Sequence, residues 1–172
     1  MNHIKLIIGL GNPGQSFYYH RHSIGFRILD VLTKKHDVAW QEKSTMMIAI
    51  IQGAVGPVYL VKPSTFMNNS GAVMPFFTKK GIKPEEVLVV HDELEMPFGK
   101  VALKQGGSAR GHNGLKSIIA AIGDNFNRLR VGIGRPDDKA EVPGYVLSNF
   151  TQGVKDLDAL IDQSVIALEK QI

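Results

Sequence analysis

Ile4-Lys5-Leu6-Ile7-Ile8-Gly9-Leu10-Gly11-Asn12-Pro13-Gly14 is the stretch that decides how this chain folds. Residues 4–10 are apolar at nearly every position and of strand length, the pattern of a strand buried on both faces. They run straight into a turn rich in glycine. Ser23 is placed to cap a helix over residues 24–35. In that helix Ile24, Ile28, Val31 and Leu32 share one face, and Lys34 and Lys35 suit the negative end of the helix dipole. A buried strand, a tight turn and an amphipathic helix open an α/β fold.

The same alternation continues outward. Residues 46–54 and 58–62 read as a hairpin across Gly53 to Pro57. Residues 70–80 read as a helix closed by Gly81 and Pro84. A second buried strand follows over residues 87–91, and residues 100–104 alternate weakly. A helix over residues 113–122 ends at Gly123. Residues 128–134 alternate as a half-covered strand does. A last amphipathic helix spans residues 154–170, with Leu157, Leu160, Ile161, Val165 and Leu168 inward. The hairpin rules out a purely parallel sheet. The expected fold is therefore α/β, a single domain over residues 1–172, with a mixed, mostly parallel twisted sheet flanked by helices.

Composition narrows the chemistry. The 172 residues contain no cysteine, which removes disulfides, thiolate catalysis and cysteine metal sites. No apolar run approaches the roughly 18 residues that span a membrane, and Met1-Asn2-His3 carries no signal-peptide pattern. The chain is expected to be cytoplasmic. Its formal charge of +4 is only modestly basic, so its meaning depends on where the charge gathers.

Gly9-x-Gly11-x-x-Gly14 matches the spacing of a dinucleotide-binding turn, but two features oppose that reading. Pro13 removes a backbone donor, and no helix begins at once. The acidic residue expected some 20 positions on is Asp30, inside the helix instead of at a strand end. The glycines are read as a strand-exit turn, with Asn12 held rigidly for substrate. Gly106-Gly107-Ser108-Ala109-Arg110 misses the nucleophile-elbow pattern, because its fifth residue is arginine.

Polar clusters at element boundaries carry the remaining signal. His22 is a candidate general base. His91-Asp92-Glu93 ends a strand, and Asp92 is the candidate orienter of His22. Asn68 and Asn113 are either turn and cap residues or substrate contacts. His20, His22, His91, Asp92 and His112 also offer a possible metal set. Lys100, Lys104, Arg110, Lys116, Arg128 and Arg130 surround the loop 106–111, as a phosphate-binding patch or as solvated edge lysines.

With these residues in place the chain closely resembles the bacterial peptidyl-tRNA hydrolase family. The likeness runs from Lys5 to about Leu147. It rests on Gly9-Leu10-Gly11-Asn12-Pro13-Gly14 with Arg21-His22, and on Lys62-Pro63-x-Thr65-Phe66-Met67-Asn68-x-Ser70-Gly71. It continues through His91-Asp92-Glu93-Leu94, Gly111-His112-Asn113-Gly114-Leu115-Lys116 and Arg128-Leu129-Arg130-Val131-Gly132-Ile133-Gly134. The resemblance implies a monomeric enzyme without metal or other cofactor. Its substrate would be the ester joining a peptide to the 3′-terminal adenosine of tRNA. It implies His22 as the catalytic histidine, Asp92 as its partner, and Asn12, Asn68 and Asn113 as substrate-binding asparagines. Met67 and His112 would line the peptide or adenosine region, and Lys104 and Arg130 would meet the tRNA 5′-phosphate.

The chain departs from the family pattern at three residues and in the length of its tail. Phe17 replaces a usual tyrosine, keeping a ring for tRNA and losing a hydroxyl. His20 replaces a threonine and Ser23 an asparagine, both flanking His22. The chain stops at Ile172, short of most relatives by a stretch of tail, so tail contacts to tRNA are not expected. Two other functions fit the residues alone: a non-catalytic RNA-binding relative of the same fold, or a metal-dependent hydrolase built on the histidines.

Overall fold

The computed structural model describes residues 3–172; Met1 and Asn2, part of the stretch examined for a signal peptide, lie outside them. In chain order the elements are β1 (Leu6–Gly9), α1 (Ile24–Lys35), β2 (Gln41–Lys43), β3 (Met46–Gln52), β4 (Pro57–Pro63) and α2 (Met74–Thr78). There follow β5 (Val87–Glu93), β6 (Val101–Gln105), α3 (Asn113–Ile122), β7 (Asn127–Gly132), α4 (Val142–Val146) and α5 (Val154–Glu169). All seven strands join one sheet in the order β2-β3-β4-β1-β5-β7-β6. The four inner strands β4, β1, β5 and β7 are mutually parallel, and β2, β3 and β6 are antiparallel additions at the edges. The sheet is mixed and mostly parallel, as the sequence implies.

Alternation along β1 divides the core. Ile7 packs with Leu60, Leu88 and Leu129 against α1 and α5, while Leu6 and Ile8 pack with Val61, Val87 and Val89 against α2 and α3. All three β1 side chains are fully buried. A strand covered on both faces is a rigid mount for the turn at its end. Helix α1 lies unusually close to it. A Cβ added to Gly25 would stand 2.5 Å from the Leu10 nitrogen and 2.6 Å from the Val90 carbonyl oxygen. Only glycine allows that approach.

Several expectations need correction. The helix expected over residues 70–80 is a 3-10 run, Met67–Val73, followed by the short α2. Pro75 has no amide hydrogen to give to Gly71, so one continuous α-helix cannot form. Ser23 does not cap α1 with its side chain. The helix is entered through a 3-10 turn, Arg21–Ser23, and the Ser23 hydroxyl instead accepts the Asn12 N–H at 3.1 Å. Strand β5 runs two residues beyond 91, so Asp92 pairs with Val131 inside the sheet. Strand β2 and helix α4 were not expected. No helix among the described residues is long and apolar enough to cross a membrane.

Candidate active site

The carboxyl ends of β1 and β5 meet the 3-10 turn before α1, and there the site is built. His22 Nδ1 donates to Asp92 Oδ2 at 2.9 Å. His112 Nε2 donates to the other oxygen, Oδ1, at 2.8 Å. The His112 tautomer is set from its far side, because its Nδ1 accepts the N–H groups of Gly114 and Leu115 at 3.1 and 3.3 Å. Its hydrogen must then sit on Nε2. His112 is thus the N-cap of α3, a place the sequence reading gave in part to Asn113, which is the first residue inside the helix.

Electrostatics follow the geometry. Burial works to raise the Asp92 carboxyl, but the two imidazoles, by charge and by hydrogen bond, hold it well below the usual carboxylate range. Burial pulls His22 down, yet the Asp92 charge and hydrogen bond outweigh it, and the net shift is upward. His91 is pushed down to about 3 by burial and by the neighbouring His112, and so stays neutral. Its Nδ1 donates to the Asp92 carbonyl at 2.8 Å, while its buried Nε2 has no partner among the described residues.

A cleft of about 580 Å³ opens over this cluster. It is lined by Asn12, His22, Met67, Asn68, Asp92, His112 and Asn113, and also by Lys104 and Arg130. Asn12 Oδ1 accepts the Met67 N–H at 2.8 Å, which fixes the amide with its NH₂ as the remaining donor. Asn68 and Asn113 are exposed at the wall. Phe17 is not part of the lining. Its ring meets Phe66 edge-on at 5.8 Å, and Phe66 is the aromatic residue that reaches the cleft.

The basic residues divide. Arg128 is buried, donates to the Gly107 and Ser108 carbonyls, and lies over the Phe126 ring. It tethers the 106–111 loop and is not a free phosphate ligand. Lys100 and Lys116 do not line the cleft, whereas Arg110, Arg135 and Lys139 do.

The metal set is only partly assembled. Donor atoms of His22, Asp92 and His112 lie within 4.8 Å of one another. Those donor atoms are hydrogen-bonded among themselves, and a protonated Nε2 is not a ligand. His91 turns its Nδ1 to a carbonyl, and neither His91 nor His20 joins that group. Asp30, the residue a dinucleotide site would need, accepts from Tyr18 at 2.6 Å and Lys62 at 2.5 Å.

Sequence reasoning missed two supports. It did not foresee that His112 shares Asp92. It also did not see Arg21, which is buried and donates to the Tyr145 carbonyl at 3.1 Å and the Ser148 hydroxyl at 2.7 Å. Its guanidinium lies 3.9 Å from the centre of the Tyr145 ring. It ties α4, a wall of the cleft, to the turn that carries His22. The signal for the first was a histidine directly before Asn113-Gly114-Leu115, where α3 begins.

These features place a buried carboxylate shared by two imidazoles in the main cleft of an α/β fold. Residues 6–172 match the family model described as peptidyl-tRNA hydrolase. The chain is 45% identical over 170 residues to a peptidyl-tRNA hydrolase of Listeria welshimeri serovar 6b, covering 96% of this chain and 92% of the relative. It is 45% identical over 158 residues to that of Roseobacter denitrificans, covering 89% of this chain and 66% of the relative. The crystal structure of peptidyl-tRNA hydrolase from Acinetobacter baumannii superposes with a TM-score of 0.87 at 36% identity, covering 99% of this chain and 88% of that one. The chain belongs to the peptidyl-tRNA hydrolase family.

Proposed function

We propose that His22 is the general base with which this enzyme hydrolyses peptidyl-tRNA. The carrying observation is the 2.9 Å hydrogen bond from His22 Nδ1 to Asp92. It leaves Nε2 as the proton acceptor at the cleft. Nε2 takes a proton from a water, and the water oxygen bonds to the ester carbonyl carbon. Asp92 stabilises the imidazolium that results. The tetrahedral intermediate then expels the ribose oxygen, which takes the proton from His22. Free tRNA and a peptide carboxylate are the products.

The other residues fall into roles around that step. The Asn68 amide donates to the developing oxyanion, a contribution typically about 3–4 kcal/mol. Asn12 and Asn113 hold the peptide backbone and the terminal ribose, since a site for peptides of any sequence must read the backbone. Met67 and His112 line the peptide and adenosine region, and Phe17 supports the exposed Phe66 ring at its edge. Lys104 and Arg130 take the 5′-phosphate at the acceptor end. The enzyme works as a cytoplasmic monomer of one domain, without metal.

The proximity of His22, Asp92 and His112 favours one rival, a metal-assisted hydrolase. Incubating the protein with peptidyl-tRNA and excess chelator separates the two. The expected result is release of free tRNA at the rate seen without chelator. Activity lost to chelator and restored by zinc would overturn the metal-free mechanism. No ester cleavage under either condition would favour the RNA-binding role, against which the intact His22–Asp92 pair counts.

A further inference from the structure

Among the described residues three besides glycine hold left-handed backbone: Asp37 (φ 52°), Ser44 (φ 49°) and Arg110 (φ 47°). Two lie where short polar side chains tolerate it. Asp37 follows the end of α1, and Ser44 sits in the turn between β2 and β3. Arg110 has no such excuse. It and Gly111 (φ 83°) are the central residues of a turn in which the His112 N–H donates to the Ala109 carbonyl at 2.9 Å. Two successive positive φ values make the mirror-image turn usually built by Asn-Gly or Asp-Gly. A long branched-charge side chain gains nothing there from local hydrogen bonding, and its Cβ crowds the backbone.

The Arg110 side chain is exposed, lines the cleft and enters no ion pair among the described residues. Arg128 nearby is committed to carbonyls of the same loop. The strained turn leads directly into His112, whose ring holds Asp92. Arg110 stands two residues before His112 in the chain, Lys104 lies on β6, and Arg130 lies on β7 opposite His91 of β5.

We propose that Arg110 is a specificity residue, binding a phosphate of the 3′-terminal nucleotides, on the strand that carries the ester. The assignment rests on this cleft being the peptidyl-tRNA site. Guanidinium matches phosphate with two parallel hydrogen bonds. The turn fixes the direction in which the side chain leaves the backbone, so only its own torsions remain to be ordered on binding. Backbone strain retained at a ligand-facing arginine is accounted for by that contact.

The test compares two minimal substrates. One is an N-acylated aminoacyl ester of the trinucleotide CCA, which carries internucleotide phosphates. The other is the same ester of adenosine, which carries none. R110G and R110N remove the charge and suit the turn, so both should melt at or above the temperature of the unaltered enzyme. The ratio of kcat/KM on the trinucleotide to that on adenosine should fall at least about tenfold, chiefly through KM, as loss of a bidentate charge-assisted contact requires. R110K should keep part of that ratio. An unchanged ratio, with both esters still cleaved, would overturn the role of Arg110 and leave His22 untouched. Loss confined to full-length peptidyl-tRNA would place Arg110 with the 5′-phosphate residues and overturn the 3′-strand assignment. Lower melting in both variants would make Arg110 structural and overturn it as well. Failure of the unaltered enzyme on every ester would instead sink the active-site assignment, and this one with it.

Discussion

Asp92 holds two imidazoles on one carboxylate at 3% exposure, so its charge governs both neighbours. In Asp92→Asn the burial of His22 remains while the charge that outweighs it is gone. The His22 pKa should then fall below its ordinary value of about 6.5. Because the base must be neutral to act, the acid limb of kcat should move to lower pH, with a reduced plateau. A limb that stays in place would show that another group titrates. Stability carries the same signs. The depressed Asp92 carboxyl contributes stability that is present above about pH 3.9, its unfolded value, and is lost as pH falls through its folded value. The raised His22 contributes stability that is present below about pH 6.5 and is lost as pH rises through its folded pKa. Urea midpoints taken from pH 5 downward should therefore drop more steeply for the unaltered protein than for Asp92→Asn. Parallel slopes would contradict the depressed carboxyl.

The elements that aim these side chains meet at a backbone contact. Gly25 brings α1 against β1 and β5, and its substitution leaves nothing flexible to yield. Gly25→Ala should cost about 1–3 kcal/mol or more in urea denaturation. It should also lower kcat, because the turn leading into α1 carries His22. Unchanged stability would mean the helix can shift freely on the sheet. The sequence told of such elements where apolar period was strong. The run at β1 and the face of Ile24, Ile28 and Leu32 on α1 were plain, and α1 begins and ends where expected. It failed where local chemistry was overridden. Pro75 broke the second helix into a 3-10 run and a short α-helix. The exposed three-residue β2 and the five-residue α4, with Pro143 and Gly144 inside it, carry too little pattern to read. Of the candidate site, His22, Asp92 and the asparagines were legible as polar residues where one element gives way to the next. That His112 shares Asp92, and that Ser23 faces Asn12 instead of capping its helix, depend on tertiary contacts that spacing does not encode.

On the scale of the whole molecule, basic side chains and the imidazole–carboxylate cluster line one cleft. The net charge of +4 matters because Lys104, Arg110, Arg130, Arg135 and Lys139 face the same opening. Lys104→Ala and Arg130→Ala should each reduce the salt dependence of tRNA binding by about 0.7–0.9 log units per decade of salt. Both should raise KM for full-length peptidyl-tRNA more than they lower kcat. Equal losses on an adenosine ester would show that these side chains support the active site itself. Because the proposal gives tRNA binding to the basic side chains and bond cleavage to His22, one substitution tests the central claim most directly. His22→Ala should bind tRNA with nearly the affinity of the unaltered protein and melt at nearly the same temperature. Single-turnover release of tRNA from peptidyl-tRNA should nonetheless fall by about 10²–10⁴, the usual contribution of a general base. Near-normal release by the folded variant would contradict His22 as the base.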